Sequence, residues 1–155
     1  MLLETRRSRR NEHALRQQGA VEPAGDVYPL MQVAYPACFL GMAAEAVARG
    51  PAPPLWVLSG ALVFVWAKAL KYWAMAALGP RWSFRVLVLP GAPLIRSGPY
   101  RWVRHPNYIG VAGELAGAAL MAHAPVAGLI ALAGFGGLMR ARIRVEERAL
   151  NACER

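Results

Sequence analysis

Long apolar runs divided by clusters of arginine constrain this chain more than any other feature. Residues 28–48 are charged only at Glu45, residues 55–78 only at Lys68 and Lys71, and residues 108–139 carry only Glu114 and His123. A bilayer-crossing helix needs about 20 mostly apolar residues, so the first two runs each supply one span. Pro36 inside the first is tolerated where neighbouring helices satisfy the freed backbone. The third run is too long for one short helix, and Ala122-His123-Ala124-Pro125 near its middle marks a tight turn. It therefore predicts a helical hairpin, with Gly113-Glu-Leu-Ala-Gly117 and Gly134-Phe-Gly-Gly137 as small faces for close packing. The expected fold is an all-α integral membrane protein with about four transmembrane helices. A hydrophobic content of 56% beside a net charge of +9 fits lipid better than water.

The arginines set the topology. Arg6, Arg7, Arg9, Arg10 and Arg16 precede the first span; Arg81, Arg85, Arg96, Arg101 and Arg104 lie between the second and third; Arg140, Arg142, Arg144 and Arg148 follow the fourth. The opposite loops hold only Arg49 and His123, so the positive-inside rule places both termini and the central segment in the cytoplasm. One domain over residues 1–155 then divides into a basic cytosolic segment (1–27), two membrane helices (28–78), a cytosolic loop (79–107), a hairpin (108–139) and a cytosolic C-terminal helix (140–155). Residues 1–26 are too polar for a secretory signal. The N-terminal arginines read as topology signals and contacts for anionic headgroups, Lys68 and Lys71 as snorkelling side chains, and Trp56, Trp66, Trp73 and Trp82 as an interfacial belt. Cys38 and Cys153 have no partner spacing for a disulfide or a zinc site, so no metal is expected.

Two segments are denser in chemistry than topology requires. LIRSGPYRWVRHPNYIG at residues 94–110 packs two X-Pro steps, three aromatics, three arginines and a histidine ahead of a membrane helix. Gly98-Pro99 favours a turn, and Pro106 suits the first turn of the following helix, leaving His105 beside free backbone N–H groups. Such a terminus attracts anions. Tyr100 and Trp102 can stack on a planar ring while Arg101 or Arg104 holds a carboxylate; S-adenosylmethionine offers both groups. The plainer alternative is an interfacial belt with a surface histidine. The tail, RARIRVEERAL at residues 140–150, puts Arg142 with Glu146 and Arg144 with Arg148 four apart, and Glu147 three from Arg144. That spacing predicts an amphipathic helix with ordinary ion pairs.

GPYRWVRHPNYIG at residues 98–110, followed after the hairpin by RIRVEERAL at residues 142–150, resembles the isoprenylcysteine carboxyl methyltransferase family and its phospholipid-methyltransferase relatives. RRNEHALRQQGAVE at residues 9–22, YPLM at 28–31 and KYWAMAALGPRW at 71–82 are similar to bacterial members, so the likeness covers most of the chain. It implies a membrane methyltransferase of the bacterial inner membrane, with S-adenosylmethionine as methyl donor bound at the cytosolic side. By that resemblance Tyr100, Val103, Arg104, His105, Pro106 and Tyr108 of the loop, with Glu146 and Glu147 of the tail, form the cofactor pocket, and Arg142 and Glu146 are the candidate catalytic pair, Arg142 orienting the acceptor. It also implies an apolar helix ahead of Arg-Arg-Asn-Glu, where this sequence has only Met1 to Ser8.

The partners implied are the bilayer and a lipophilic acceptor. A prenylcysteine-type carboxylate needs no base, an alkylresorcinol- or pyrone-like hydroxyl does, and a phospholipid amine must first lose a proton. Glu114, about two turns (~10 Å) beyond Pro106, is either functional or the partner of Lys68 or Lys71. A non-catalytic basic membrane scaffold is the rival reading. No periodic aromatic-and-basic surface marks a nucleic-acid fold, and no Gly-x-Gly-x-x-Gly follows a strand-like run.

Overall fold

The computed structural model describes residues 2–153; the Cys153 side chain, read above as inert, lies outside what is described. Five α-helices carry the chain: α1 (Leu2–Gln17), α2 (Tyr28–Arg49), α3 (Pro54–Leu78), α4 (Pro106–Met121) and α5 (Pro125–Cys153). Short 3₁₀ turns at Gly79–Arg81 and Gly98–Arg101 punctuate the segment between α3 and α4. No strand forms among the described residues; Val21 and Val88 merely exchange backbone hydrogen bonds of 2.8 and 3.0 Å. The protein is an all-α integral membrane protein.

Local signals explain the boundaries. Pro29, Pro54, Pro106 and Pro125 stand in first turns, where a missing N–H costs nothing. Gly50 and Gly79 end α2 and α3 with φ of 85° and 55°, a left-handed region open to glycine. At the hairpin, His123 takes φ 50°. Glu45 of α2 accepts from Val126 N–H at 3.3 Å and Ala127 N–H at 2.6 Å, satisfying the start of α5 with a negative charge.

Helices α2, α3 and α5 are each long and apolar enough to cross a membrane. Their outward faces carry exposed Leu40, Val47, Leu55, Trp66, Leu129 and Ile130, as a lipid-facing surface requires. The fourth expected membrane helix, α4, has 16 residues and lies along α3. A Cβ added at Gly117 would come within 2.7 Å of Phe64 N, and one at Gly60 within 2.5 Å of Met121 N, so the two backbones touch because these residues have no side chains. Gly113 belongs to the same seam, facing Ala67. The other small face expected from sequence does not pack: a Cβ at Gly134, Gly136 or Gly137 meets nothing within 4 Å. Between α2, α4 and α5 sits a core of Met31, Met42, Leu115, Ala131, Phe135 and Met139.

Three further expectations are corrected. The tail is no separate helix: α5 runs unbroken for 29 residues, because nothing between Met139 and Val145 interrupts a helix. Lys71 does not snorkel; it is 7% exposed and pairs with carboxylates inside the protein. Trp82 is not part of a belt. It is 3% exposed, edge-on to Phe84, beneath Asn11, whose amide donates to the Trp82 carbonyl at 2.7 Å.

Candidate functional site

Helix α1 has a buried face that is mostly polar. Glu4, Ser8 and Leu15, with Asn11 between, recur at helical spacing and are turned inward. Ser8 accepts from Phe84 N–H at 2.8 Å, and Asn11 also donates to the Gly79 carbonyl at 3.2 Å, so α1 is stitched to the segment after α3. That segment, α1, the first turns of α2 and α4, the second half of α3 and α5 from Phe135 onward line a cavity of about 1050 Å³.

On one wall, His105 immediately precedes α4, where Pro106 fixes the turn. Its Nε2 lies 3.3 Å from Glu147 Oε1 and its Nδ1 3.7 Å from Glu146 Oε2. Tyr108, one turn along, donates to Glu146 at 3.2 Å. Arg104 reaches Glu147 only at 3.9 Å and stays 88% exposed, a contact worth little. The tail carboxylates thus turn to the loop; the Arg142–Glu146 and Arg144–Glu147 pairs expected along the tail are not made among the described residues.

Arg142 is held elsewhere. Its guanidinium lies 3.5 Å from Asp26, donates to the Phe84 carbonyl and packs over the Tyr28 ring at 5.3 Å. Asp26 also accepts from Tyr28 N–H at 3.0 Å and Val86 N–H at 3.3 Å. One ion pair therefore joins the entry to α2, the segment after Trp82 and the tail.

Of the residues singled out in the sequence, Tyr100, Arg104, His105, Tyr108, Arg142, Glu146 and Glu147 line the cavity. Val103 and Pro106 do not: Val103 N–H bonds to the Pro99 carbonyl at 3.1 Å, and Pro106 is buried in the helix start. Trp102, proposed to stack on a ligand, faces outward against Trp73 and Arg101 at 66% exposure. Burial, then the Glu146 charge, push the Tyr100 phenol well above its ordinary range, so it is a neutral O–H donor.

Sequence reasoning missed Asp26, Tyr35, Asn107 and Glu4. Asp26 had a signal, an acidic residue two before Tyr28-Pro29 in an otherwise basic region. Tyr35 lies two turns from Tyr28 on the same face of α2, a polar tip inside a span. Asn107 sits in the motif itself; its Oδ1 is buried without a hydrogen-bond partner on the cavity wall.

An uncharacterized protein of Bacillus subtilis (strain 168), YpbQ, is 34% identical over 143 residues, covering 92% of this chain and 85% of its own. An uncharacterized protein of Haemophilus influenzae (strain ATCC 51907 / DSM 11121 / KW20 / Rd) is 27% identical over 143 residues, 92% of this chain and 83% of that one. No solved structure matches. The model of the isoprenylcysteine carboxyl methyltransferase (ICMT) family matches residues 60–152, from the α3–α4 seam to the tail carboxylates, and the chain belongs to that family.

Proposed function

We propose that this protein transfers a methyl group from S-adenosylmethionine to an oxygen of a lipophilic acceptor, at the cytoplasmic face of a bacterial inner membrane. The observation that carries the reading is one cavity of about 1050 Å³ in which the loop and tail groups meet walls supplied by membrane helices. The residues present fit such a cofactor. Glu146 and Glu147 offer carboxylates for ribose hydroxyls and an ammonium, Tyr100 a ring face and a hydroxyl, and Asn107 an unpartnered buried acceptor.

When bound, the cofactor supplies a methyl group already activated by a sulfonium. What this chain contributes is alignment and exclusion of water. Glu146 contacts the cofactor while His105 and Tyr108 hold its carboxylate in place. Arg142, its guanidinium engaged by Asp26 and the Phe84 carbonyl, positions the tail against the entry to α2 and the segment after Trp82. Val103 and Pro106 shape the loop, and Arg104 screens the mouth. The apolar acceptor enters from the bilayer between helices, and the arginine-rich ends keep the site cytoplasmic.

The test is calorimetric titration of S-adenosylmethionine into detergent-purified protein. The expected affinity is micromolar, about −8 kcal/mol, weakened in His105→Ala and unchanged when the exposed Arg6 and Arg10 become alanine. Folded protein that binds nothing at millimolar cofactor overturns the reading in favour of a scaffold.

A further inference from the structure

The two sides of α5 run on past its apolar part. Val126, Ile130, Ala133 and Gly137 recur at helical spacing on the exposed side, and the same side continues as Arg140, Arg144 and Arg148. The other side passes from Ala131, Phe135 and Met139 to Arg142, all buried, and reaches the cavity at Glu146. Asp26 takes Arg142. The guanidinium groups of the three outer arginines, by contrast, have no ion pair or hydrogen bond with any described residue. Glu147, three beyond Arg144, is turned to His105 instead.

A topology signal needs positive charge near the end of a span, on whichever side of the helix it falls. Continuity with the lipid-facing side asks for a further cause. Helix rise puts the three arginines about 22, 28 and 34 Å along α5 from Pro125. A hydrocarbon core of about 30 Å leaves Arg140 at its edge and carries Arg144 and Arg148 into the headgroups. A guanidinium there meets phosphate oxygens that its planar fork fits. Arg140 lies too deep for a nucleic acid or an acidic protein to reach from the cytosol. The loop across the cavity mouth is seated alike: Tyr100 and His105 line the cavity, while Trp102 leaves it to lie edge-on to Trp73, 5.7 Å away on an exposed side of α3. Tryptophan at that level anchors a segment to the bilayer surface.

Resting on the methyl-transfer reading, we infer that Arg140, Arg144 and Arg148 form a docking site for the headgroups of anionic phospholipids, and that its occupancy tightens the hold on the cofactor. Beyond Arg142, the ion pairs and hydrogen bonds that turn the tail to the loop are those of Glu146 and Glu147 with Tyr108, His105 and Arg104, at 3.2 to 3.9 Å. Where the end of a membrane helix stands depends on its packing and on its interfacial arginines. Phosphates bound along the outer side add a restraint on the last turns, so Glu146 and Glu147 meet the cofactor with less freedom left to lose. Lipid and cofactor engage different sides of one helix, and each raises the affinity for the other by the same factor.

The experiment places the protein in nanodiscs of phosphatidylcholine, with and without phosphatidylglycerol, and titrates S-adenosylmethionine by calorimetry. Phosphatidylglycerol is expected to tighten wild-type binding about tenfold. The triple variant Arg140→Gln, Arg144→Gln, Arg148→Gln is expected to match wild type in phosphatidylcholine and to gain nothing from phosphatidylglycerol. Arg6→Gln with Arg10→Gln, charge removed from the exposed side of α1, should keep the full gain; its loss there too overturns the inference. So does equal wild-type affinity in the two lipids, or an equal gain in the triple variant. Glycerol 1-phosphate that tightens binding as much in phosphatidylcholine alone also overturns it, because the site would then be one for soluble anions. Should the triple variant fail to fold, Arg144→Gln carries the comparison, with about threefold of the gain lost. If wild-type protein binds no cofactor in either lipid, the methyl-transfer reading falls, and spin-labelled lipid decides the docking site alone. Wild type should immobilise labelled phosphatidylglycerol in preference to phosphatidylcholine, a preference absent in the triple variant; no preference in wild type overturns the site.

Discussion

Arg142 and Asp26, from opposite ends of the chain, face each other at 3.5 Å with both side chains 7% exposed. A pair so enclosed is costly to break, because the partner left behind keeps its charge without compensation. Asp26→Leu alone or Arg142→Met alone should destabilise the protein by about 3–5 kcal/mol. The double variant should recover much of that loss. Thermal melts of the four proteins in detergent form the cycle that checks it.

The α3–α4 seam makes a sharper contrast. At Gly117 the atoms that a Cβ would strike at 2.7 and 2.8 Å are backbone, Phe64 N and Gly60 O, and cannot swing aside. Gly117→Ala is expected to cost about 1–3 kcal/mol through overpacking. Gly134→Ala, with open space around it, should stabilise α5 by about 0.5–1 kcal/mol through helix propensity. Melting temperatures moving in the same direction would refute this account of the seam.

Two tryptophans separate packing from lipid contact. Trp82→Ala removes a sealed side chain and should cost about 3–5 kcal/mol, whereas Trp66→Ala, at a position 76% exposed, should leave the midpoint of unfolding nearly unchanged.

At the cavity mouth, stability and affinity should part company. Arg104→Ala gives up an exposed, long contact with Glu147 and should alter stability by less than about 0.5 kcal/mol. Glu146→Gln should weaken cofactor binding about tenfold, about 1.4 kcal/mol, with little change in melting temperature. Calorimetry and a melt on the same samples test both statements.

Which of these features could be read from sequence follows from how local each signal is. Pro106 after His105, and His123 before Ala124-Pro125, announce a helix start and a turn within a few residues, and both stand where expected. Runs of apolar residues disclose spans for the same reason. The tail carboxylates were placed beside the loop only through the family likeness, because their own spacing pointed to pairs along the helix. Asp26, Glu4 and Trp82 were hidden because their partners are distant in sequence and their faces are polar or ambiguous. α1 is the clearest case: a helix that turns Glu4 and Ser8 inward leaves no hydrophobic stripe to detect. Lys71 reads from sequence either as a snorkelling cation or as a partner of Glu114; the fold makes the pair with Glu114 and adds Glu4, which no local signal connects to it.

The unbroken course of α5 has a mechanical side. A rod pinned near its start by Glu45 carries Glu146 about 28 Å further on and acts as a lever. A tilt of about 5° about that fulcrum would swing the carboxylate sideways by about 2.5 Å, nearly the length of a hydrogen bond. Tilt is set by what a helix packs against, so the Arg142–Asp26 pair, by tying the far end of the rod to the entry of α2, fixes where Glu146 stands on the cavity wall.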